Sequence, residues 1–279
     1  MELNWFQSLI LGLISGFAEV LPVSGQAHRL VLLKMLGTNS DPAALRFMIH
    51  MGIIAALYFY CKGHIVRMMR AQRLVRIPKS RRKRPLDTDA LMDFSLLKST
   101  LIPIVLAFLL YSKVSFLSKN IMYVAGLLFV NGIILYIPQY LPGSNKASGA
   151  MSRIDSLYLG LGGALGILPG ISGIGASVSV ASVRGMDLKK ALDLALLMNI
   201  PVNIGFALFD LIDLLKGGAG SLSFGFLIFC VFAGLAAFLG LALGIRVLKK
   251  IAENAGYGVF AFYCWGAAML TFILYLAAA

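Results

Sequence analysis

The feature that most constrains this chain is a series of apolar runs of about 20 residues, two of them interrupted midway by Pro, Gly and Ser. A bilayer core about 30 Å thick takes roughly 20 apolar residues per helix. In lipid every backbone polar group needs an internal partner, which leaves helices or a closed barrel. Strict apolar/polar alternation is absent, so the runs read as helices. With 59% hydrophobic residues, the chain carries more apolar surface than a soluble domain can hide. The expected fold class is an all-α polytopic membrane protein, one integral membrane domain over residues 1–279. Six spans are predicted near 43–61, 94–112, 120–138, 187–214, 221–247 and 256–278.

The stretches at about 5–35 and 155–182 are different. The first contains Leu21-Pro22-Val23-Ser24-Gly25-Gln26 and the second Leu168-Pro169-Gly170-Ile171-Ser172-Gly173. Pro removes a donor and Gly relaxes the backbone, so neither stretch makes one straight helix. Broken backbone at membrane depth survives only where protein or water covers it. Each stretch is therefore predicted to be a re-entrant helical hairpin, with a kinked span as the alternative.

Charge orients the bundle. The net charge is +13, and ten Lys/Arg lie between Lys62 and Arg84 with no acid among them. Beside spanning helices this is a cytoplasmic topology signal that faces anionic headgroups, and nucleic acid is not an expected partner. With the 62–84 loop inside, Lys146, Arg153, Arg184, Lys189, Lys190, Arg246, Lys249 and Lys250 also fall inside if 155–182 enters and leaves on that side. The first hairpin then opens to the outer face. Two hairpins entering from opposite faces are the pattern of an inverted-topology repeat with its site at the repeat interface. The repeats would be about 1–138, with the basic loop 62–93, and 150–279. Arg67, Arg70 and Arg73 share one helix side, which predicts a short amphipathic helix on the inner surface, followed by a solvated tether. No basic region precedes the first apolar stretch, so no cleaved signal peptide is expected. Cys61, Cys230 and Cys264 read as small buried hydrophobes.

Glu19 stands inside an apolar stretch without a cation nearby in sequence, which by default marks a functional site. Ser24 and His28 follow on the broken segment, a hydroxyl and a proton-exchanging imidazole. In the second break, Ser172, Gly173, Gly175 and Ser177 form a turn that either presents N–H groups to an anion or packs helices closely. Asn199, Pro201 and Asn203 place polar atoms and a kink in one span, facing the same cavity. Asp193 is expected to pair with Lys189 or Lys190, Asp210 and Asp213 to be solvated, and His50 to begin a helix and serve packing.

Gly16-Phe17-Ala18-Glu19-Val20-Leu21-Pro22-Val23-Ser24 with His28 resembles the first motif of the undecaprenyl-diphosphate phosphatase (bacitracin-resistance type) family. Pro169-Gly170-Ile171-Ser172 with Gly175-Ala176-Ser177 resembles the second. Ile49-His50-Met51-Gly52 and Leu196-Leu197-Met198-Asn199-Ile200-Pro201 match in place and character, so the resemblance covers nearly the whole chain. It implies six spans with two re-entrant hairpins in the plasma membrane, and removal of one phosphate from a C55 lipid diphosphate in lipid-carrier recycling for cell-wall polymers. It further implies a divalent cation, Mg²⁺ or Ca²⁺. Carried over, Glu19 is the metal ligand or base, Ser24 the nucleophile or phosphate ligand and His28 the acid/base. Ser172, Gly173, Gly175 and Ser177 would bind phosphate. Expected partners are a polyprenyl phosphate or diphosphate, anionic lipid at the basic loop and a second copy in a homodimer. Ser15 stands where the family carries an acid or amide, Gly25 where it has a serine, and Gly173 and Ile174 where it has Arg-Ser. Hydrolysis, movement of the lipid phosphate between leaflets, and binding without turnover all remain open on these residues.

Overall fold

The computed structural model describes residues 3–38, 41–141, 151–217, 223–254 and 257–277, with the side chains of 252–254 excepted. Lys146 lies outside the described residues. Ten α-helices follow in order: α1 (Trp5–Val20), α2 (Gly25–Met35), α3 (Ala43–Val75), α4 (Thr88–Val114) and α5 (Ile121–Tyr136); then α6 (Arg153–Ala164), α7 (Gly173–Val183), α8 (Leu188–Lys216), α9 (Phe224–Asn254) and α10 (Val259–Ala277). Among the described residues six segments are long and apolar enough to cross a membrane: α3, α4 with its 3₁₀ extension to Lys119, α5 with its extension to Gln139, α8, α9 and α10. These are the six predicted spans. The chain is a multi-pass membrane protein.

The other four helices form two pairs. With 16, 11, 12 and 11 residues, none reaches the roughly 20 residues a span needs. Local sequence builds both pairs the same way. Each first arm starts with a capping box, Asn4 with Gln7 and Ser152 with Asp155. Each break contains a proline, Pro22 or Pro169, and the residue before it is extended. Each second arm is capped by a serine hydroxyl, Ser24 or Ser172.

Glycines let the arms fold back. A Cβ on Gly25 would lie 3.0 Å from Ser15 O, and one on Gly162 would lie 2.7 Å from Ser177 Cα. Glycine and alanine also set α1 on α9, since Gly12 meets Ala233 O and Gly16 meets Ala237 O. This small-residue packing needs no hydrophobic drive between helices. The matched order makes α1 parallel to α9.

Element pairing has a two-fold character. α1 packs on α9 as α6 packs on α4, α3 on α9 as α8 on α4, and α2 touches α10 as α7 touches α5. The equivalent spans α3 and α8, and α5 and α10, pair with each other. Lys190 to Asp93 (3.2 Å) and Arg184 to Asp155 (2.7 Å) mark one end of the bundle; Arg46 to Asp213 (2.8 Å) and Arg29 to Asp41 (3.2 Å) mark the other. Hairpin α6–α7 opens toward the first, basic end and hairpin α1–α2 toward the second.

Four local expectations change. No separate helix lies beside 62–75: α3 continues unbroken through Arg67, Arg70 and Arg73 to Val75, because no Pro intervenes and Gly63 stays helical. His50 does not begin a helix but sits about two turns into α3, with its Nδ1 2.6 Å from Asp210 Oδ2. Asp210 is not solvated. It is buried and bonds Arg46 Nε at 2.6 Å as well, whereas Asp213 is exposed as expected. Lys190 pairs across to Asp93 on α4. All three cysteines are free and buried, as read.

Candidate functional site

The two breaks meet tip to tip. Ser24 Oγ accepts the Gly170 N–H at 3.1 Å, and Ser172 Oγ donates to Leu21 O at 3.1 Å. Asn131 of α5 clamps both: its Nδ2 donates to Pro22 O at 3.0 Å and its Oδ1 accepts the Ser172 N–H at 2.9 Å. The bonds to Gly170 N–H, Ser172 N–H and Pro22 O serve backbone groups that the broken helices leave without a helical partner, while Leu21 O also accepts the Val23 N–H. Ser24 is the sole non-glycine residue with positive φ (68°) among the described residues. Strain of this kind persists where surroundings over-determine it, and it gathers at functional sites.

Between the tips and α8 lies a cavity of about 20 Å³. Glu19, Ser24, Gln26, Ser172, Gly173 and Asn199 line it, together with the ring of Phe206. Glu19 Oε1 accepts from Asn203 Nδ2 at 3.1 Å and from Asn199 Nδ2 at 3.4 Å. Pro201 sits between these asparagines inside α8. Of the positions singled out in that span, Asn199 lines the cavity and Asn203 reaches its carboxylate. Among the described residues no lysine or arginine bonds the carboxylate. The N-termini of α2 and α7 border the same cavity through Gly25 and Gln26 and through Gly173 and Ile174. Their first-turn N–H groups carry partial positive charge. The cavity thus opposes one carboxylate to two helix dipoles.

The structure brings Glu19, Ser24, Ser172 and Gly173 together and places the other three candidates elsewhere. His28 turns to the far side of α2: its Nε2 lies 2.8 Å from the Tyr263 hydroxyl, its Nδ1 2.8 Å from Ser24 O, and its ring stacks on Tyr263. It lines a separate apolar groove with Leu128 and Leu270. Gly175 lies against Pro22, where a Cβ would approach to 2.8 Å. Ser177 donates its hydroxyl to Leu159 O at 2.9 Å inside the second hairpin. Ser15 likewise turns back onto Leu11 O. Gly25 is held by space, since a Cβ there would lie 2.6 Å from Glu19 Oε2.

Sequence reading passed over Asn131 and Gln26. Asn131 had a signal, a lone amide inside the apolar run 121–136. It also passed over Arg46, which beside the site joins the buried Asp210, the exposed Asp213 and the Asp41 carbonyl. Phe206 links the two, lining the cavity while stacking on His50 at 5.4 Å.

The chain matches the family described as Bacitracin resistance protein BacA over residues 8–270. A protein of Methanobrevibacter smithii named undecaprenyl-diphosphatase is 30% identical over 274 residues, covering 96% of both chains. Proteins of the same name from Nocardioides sp. and Halothermothrix orenii are 29% and 26% identical, over 77% and 96% of this chain and 77% and 97% of theirs.

Proposed function

We propose that this chain, which belongs to the bacitracin resistance protein BacA family, removes the terminal phosphate of a membrane-borne polyprenyl diphosphate and returns the monophosphate to use as a lipid carrier. One observation carries this reading: a carboxylate, Glu19, faces the N-termini of α2 and α7 across one cavity at the joined tips. The N–H groups of Gly25, Gln26, Gly173 and Ile174 are the donors for the phosphate oxygens, in place of an arginine clamp. Glu19 takes the proton of the attacking oxygen, that of water with Ser24 as ligand or that of Ser24 itself; the P–O bond to the leaving monophosphate breaks, and a phosphate carried on Ser24 is then released by water. Asn199 and Asn203 orient Glu19.

A divalent cation fits the donors present. Asn203 Oδ1 is buried with no hydrogen-bond partner among the described residues, beside the Glu19 carboxylate. Mg²⁺ is commonly held by one or two carboxylates plus substrate phosphates, so Glu19 and Asn203 Oδ1 would hold it. When bound, it neutralises charge on the phosphate oxygens. Among the described residues no cluster of three or more His, Cys, Asp or Glu could hold a metal, so water and substrate phosphate oxygens would complete the shell.

A cavity of about 20 Å³ admits about one water. A diphosphate therefore enters only when the tips and α8 separate. In this reading the bundle is an inverted-topology repeat in the plasma membrane, with α1–α2 re-entering from the outer face and α6–α7 from the inner; the paired capping and packing of the halves support it. The membrane-proximal cations Lys62, Lys249 and Lys250 then meet anionic headgroups on the inner side.

Purified chain in nanodiscs is given undecaprenyl diphosphate and Mg²⁺, and released phosphate is measured. Release that Glu19→Gln abolishes supports the reading. Release no greater than in Glu19→Gln, with the lipid still bound, overturns it.

A further inference from the structure

The continuous α3 carries its basic end away from the membrane. Its apolar part ends near Cys61, and 14 further residues follow to Val75. At 1.5 Å per residue these add about 20 Å along the helix axis. The headgroup layer is only about 5–8 Å deep on each side. The turn after α3 therefore stands more than about 10 Å beyond the headgroups, further than a physiological screening length of about 8 Å. Attraction to an anionic surface fades over that distance.

What stands there is built rather than loose. Lys79–Arg81 form a 3₁₀ turn. Arg82 folds back to donate to Ile77 O at 2.7 Å and Val75 O at 3.1 Å. Arg67 grips Asp87, the cap of α4, at 2.6 and 2.9 Å. The turn closes a groove of about 430 Å³ lined by Lys79, Arg82, Lys83 and Arg84 with Pro85 and Leu86. No acid lines it: Asp87 is held by Arg67 and Asp93 by Lys190, and Asp89 sits in the first turn of α4. Lys79, Lys83 and Arg84 are exposed.

We propose that this groove docks an acidic segment of a soluble protein on the inner side of the membrane. The cations match carboxylates in charge, while Pro85 and Leu86 give an apolar floor for the segment's backbone and stems. Nucleic acid fits less well, because residues 62–93 contain no Phe, Tyr or Trp on which bases could stack. The inference needs only the membrane reading and is independent of the phosphatase chemistry.

The test uses full-length chain in zwitterionic nanodiscs and a fluorescent oligoglutamate peptide. Wild type is expected to bind it, and Lys79→Gln with Lys83→Gln and Arg84→Gln is expected to weaken binding at least about tenfold, with phosphate release unchanged. No binding by wild type, equal binding by the triple variant, or tighter binding of an oligonucleotide of equal charge overturns the proposal. A second arm labels Ser80→Cys, selective because the native cysteines are buried. The label is expected to escape quenching by headgroup-labelled anionic lipid. Strong quenching would put the turn on the membrane and overturn the proposal.

Discussion

The two hairpins share one construction and divide the chemistry between them. Hairpin α1–α2 holds the charged and strained residues: Glu19, Ser24 at φ 68° and the buried Arg29. Hairpin α6–α7 has no acidic or basic side chain from Ser156 through its tip to Val183; that stretch is serine, glycine, proline and apolar residues with one tyrosine, Tyr158. Both hairpins present a helix N-terminus to the cavity, but only the first adds a charged side chain, Glu19. The difference teaches that a two-fold frame can persist while only one half carries acid and base groups at the tips. Neither half is a site alone, because the cavity exists only where the tips are fastened.

The largest expected effect removes the charged half. Glu19→Gln keeps the volume and the bonds to Asn199 and Asn203 but loses the carboxylate. Phosphate release should fall by about 10²–10³, the usual scale for one such electrostatic group. An unchanged rate would show that the charge is not what distinguishes the hairpins. Next comes Gly25→Ser, which restores the serine that the family resemblance implies at this position. Because its Cβ would lie 2.6 Å from Glu19 Oε2, it should cost about tenfold in release rather than raise it. A gain would mean the carboxylate can move aside freely.

Asn131→Leu breaks the clamp that joins the halves. It leaves Pro22 O and the Ser172 N–H without their buried partner. Thermal unfolding in detergent should show a loss of about 1–3 kcal/mol. Asn131→Asp should recover only the bond from Ser172. The smallest effect lies off both hairpins and serves as their control. Arg67 holds the Asp87 carboxyl at about 2, below its ordinary 3.8. The folded value is the lower one, so this pair's contribution is complete above about pH 4 and is lost as pH falls toward 2. Carboxylate chemical shifts should show Asp87 returning to the ordinary range in Arg67→Gln, with the cavity residues undisturbed.

Much of this was legible in the sequence. Spans are set by summed hydropathy over about 20 residues, which is local. The breaks are equally local, since Pro22 and Pro169 stand beside glycines and serines that cap a new helix, whereas the lone Pro103 and Pro201 are carried inside α4 and α8. Glu19 was legible as the one acid in an apolar stretch, and Asn199 and Asn203 as polar atoms in mid-span. Direction was not legible. His28 follows Ser24 by four residues, yet its ring faces Tyr263, because α2 turns that side toward α10. Asp210 and Asp213 look alike in sequence near one helix end and both meet Arg46, but only Asp210 is buried and reaches His50.

By itself, then, the sequence determined an all-helical membrane protein with six spans and two polar breaks, because lipid imposes that outcome on any chain with this pattern. The tertiary structure alone decided which polar atoms meet. Asn131 joining both tips and the asparagines of α8 holding Glu19 depend on contacts between elements far apart in the chain, 109 positions for Asn131 to Pro22 and 184 for Asn203 to Glu19, and such pairings are set by packing rather than by local composition.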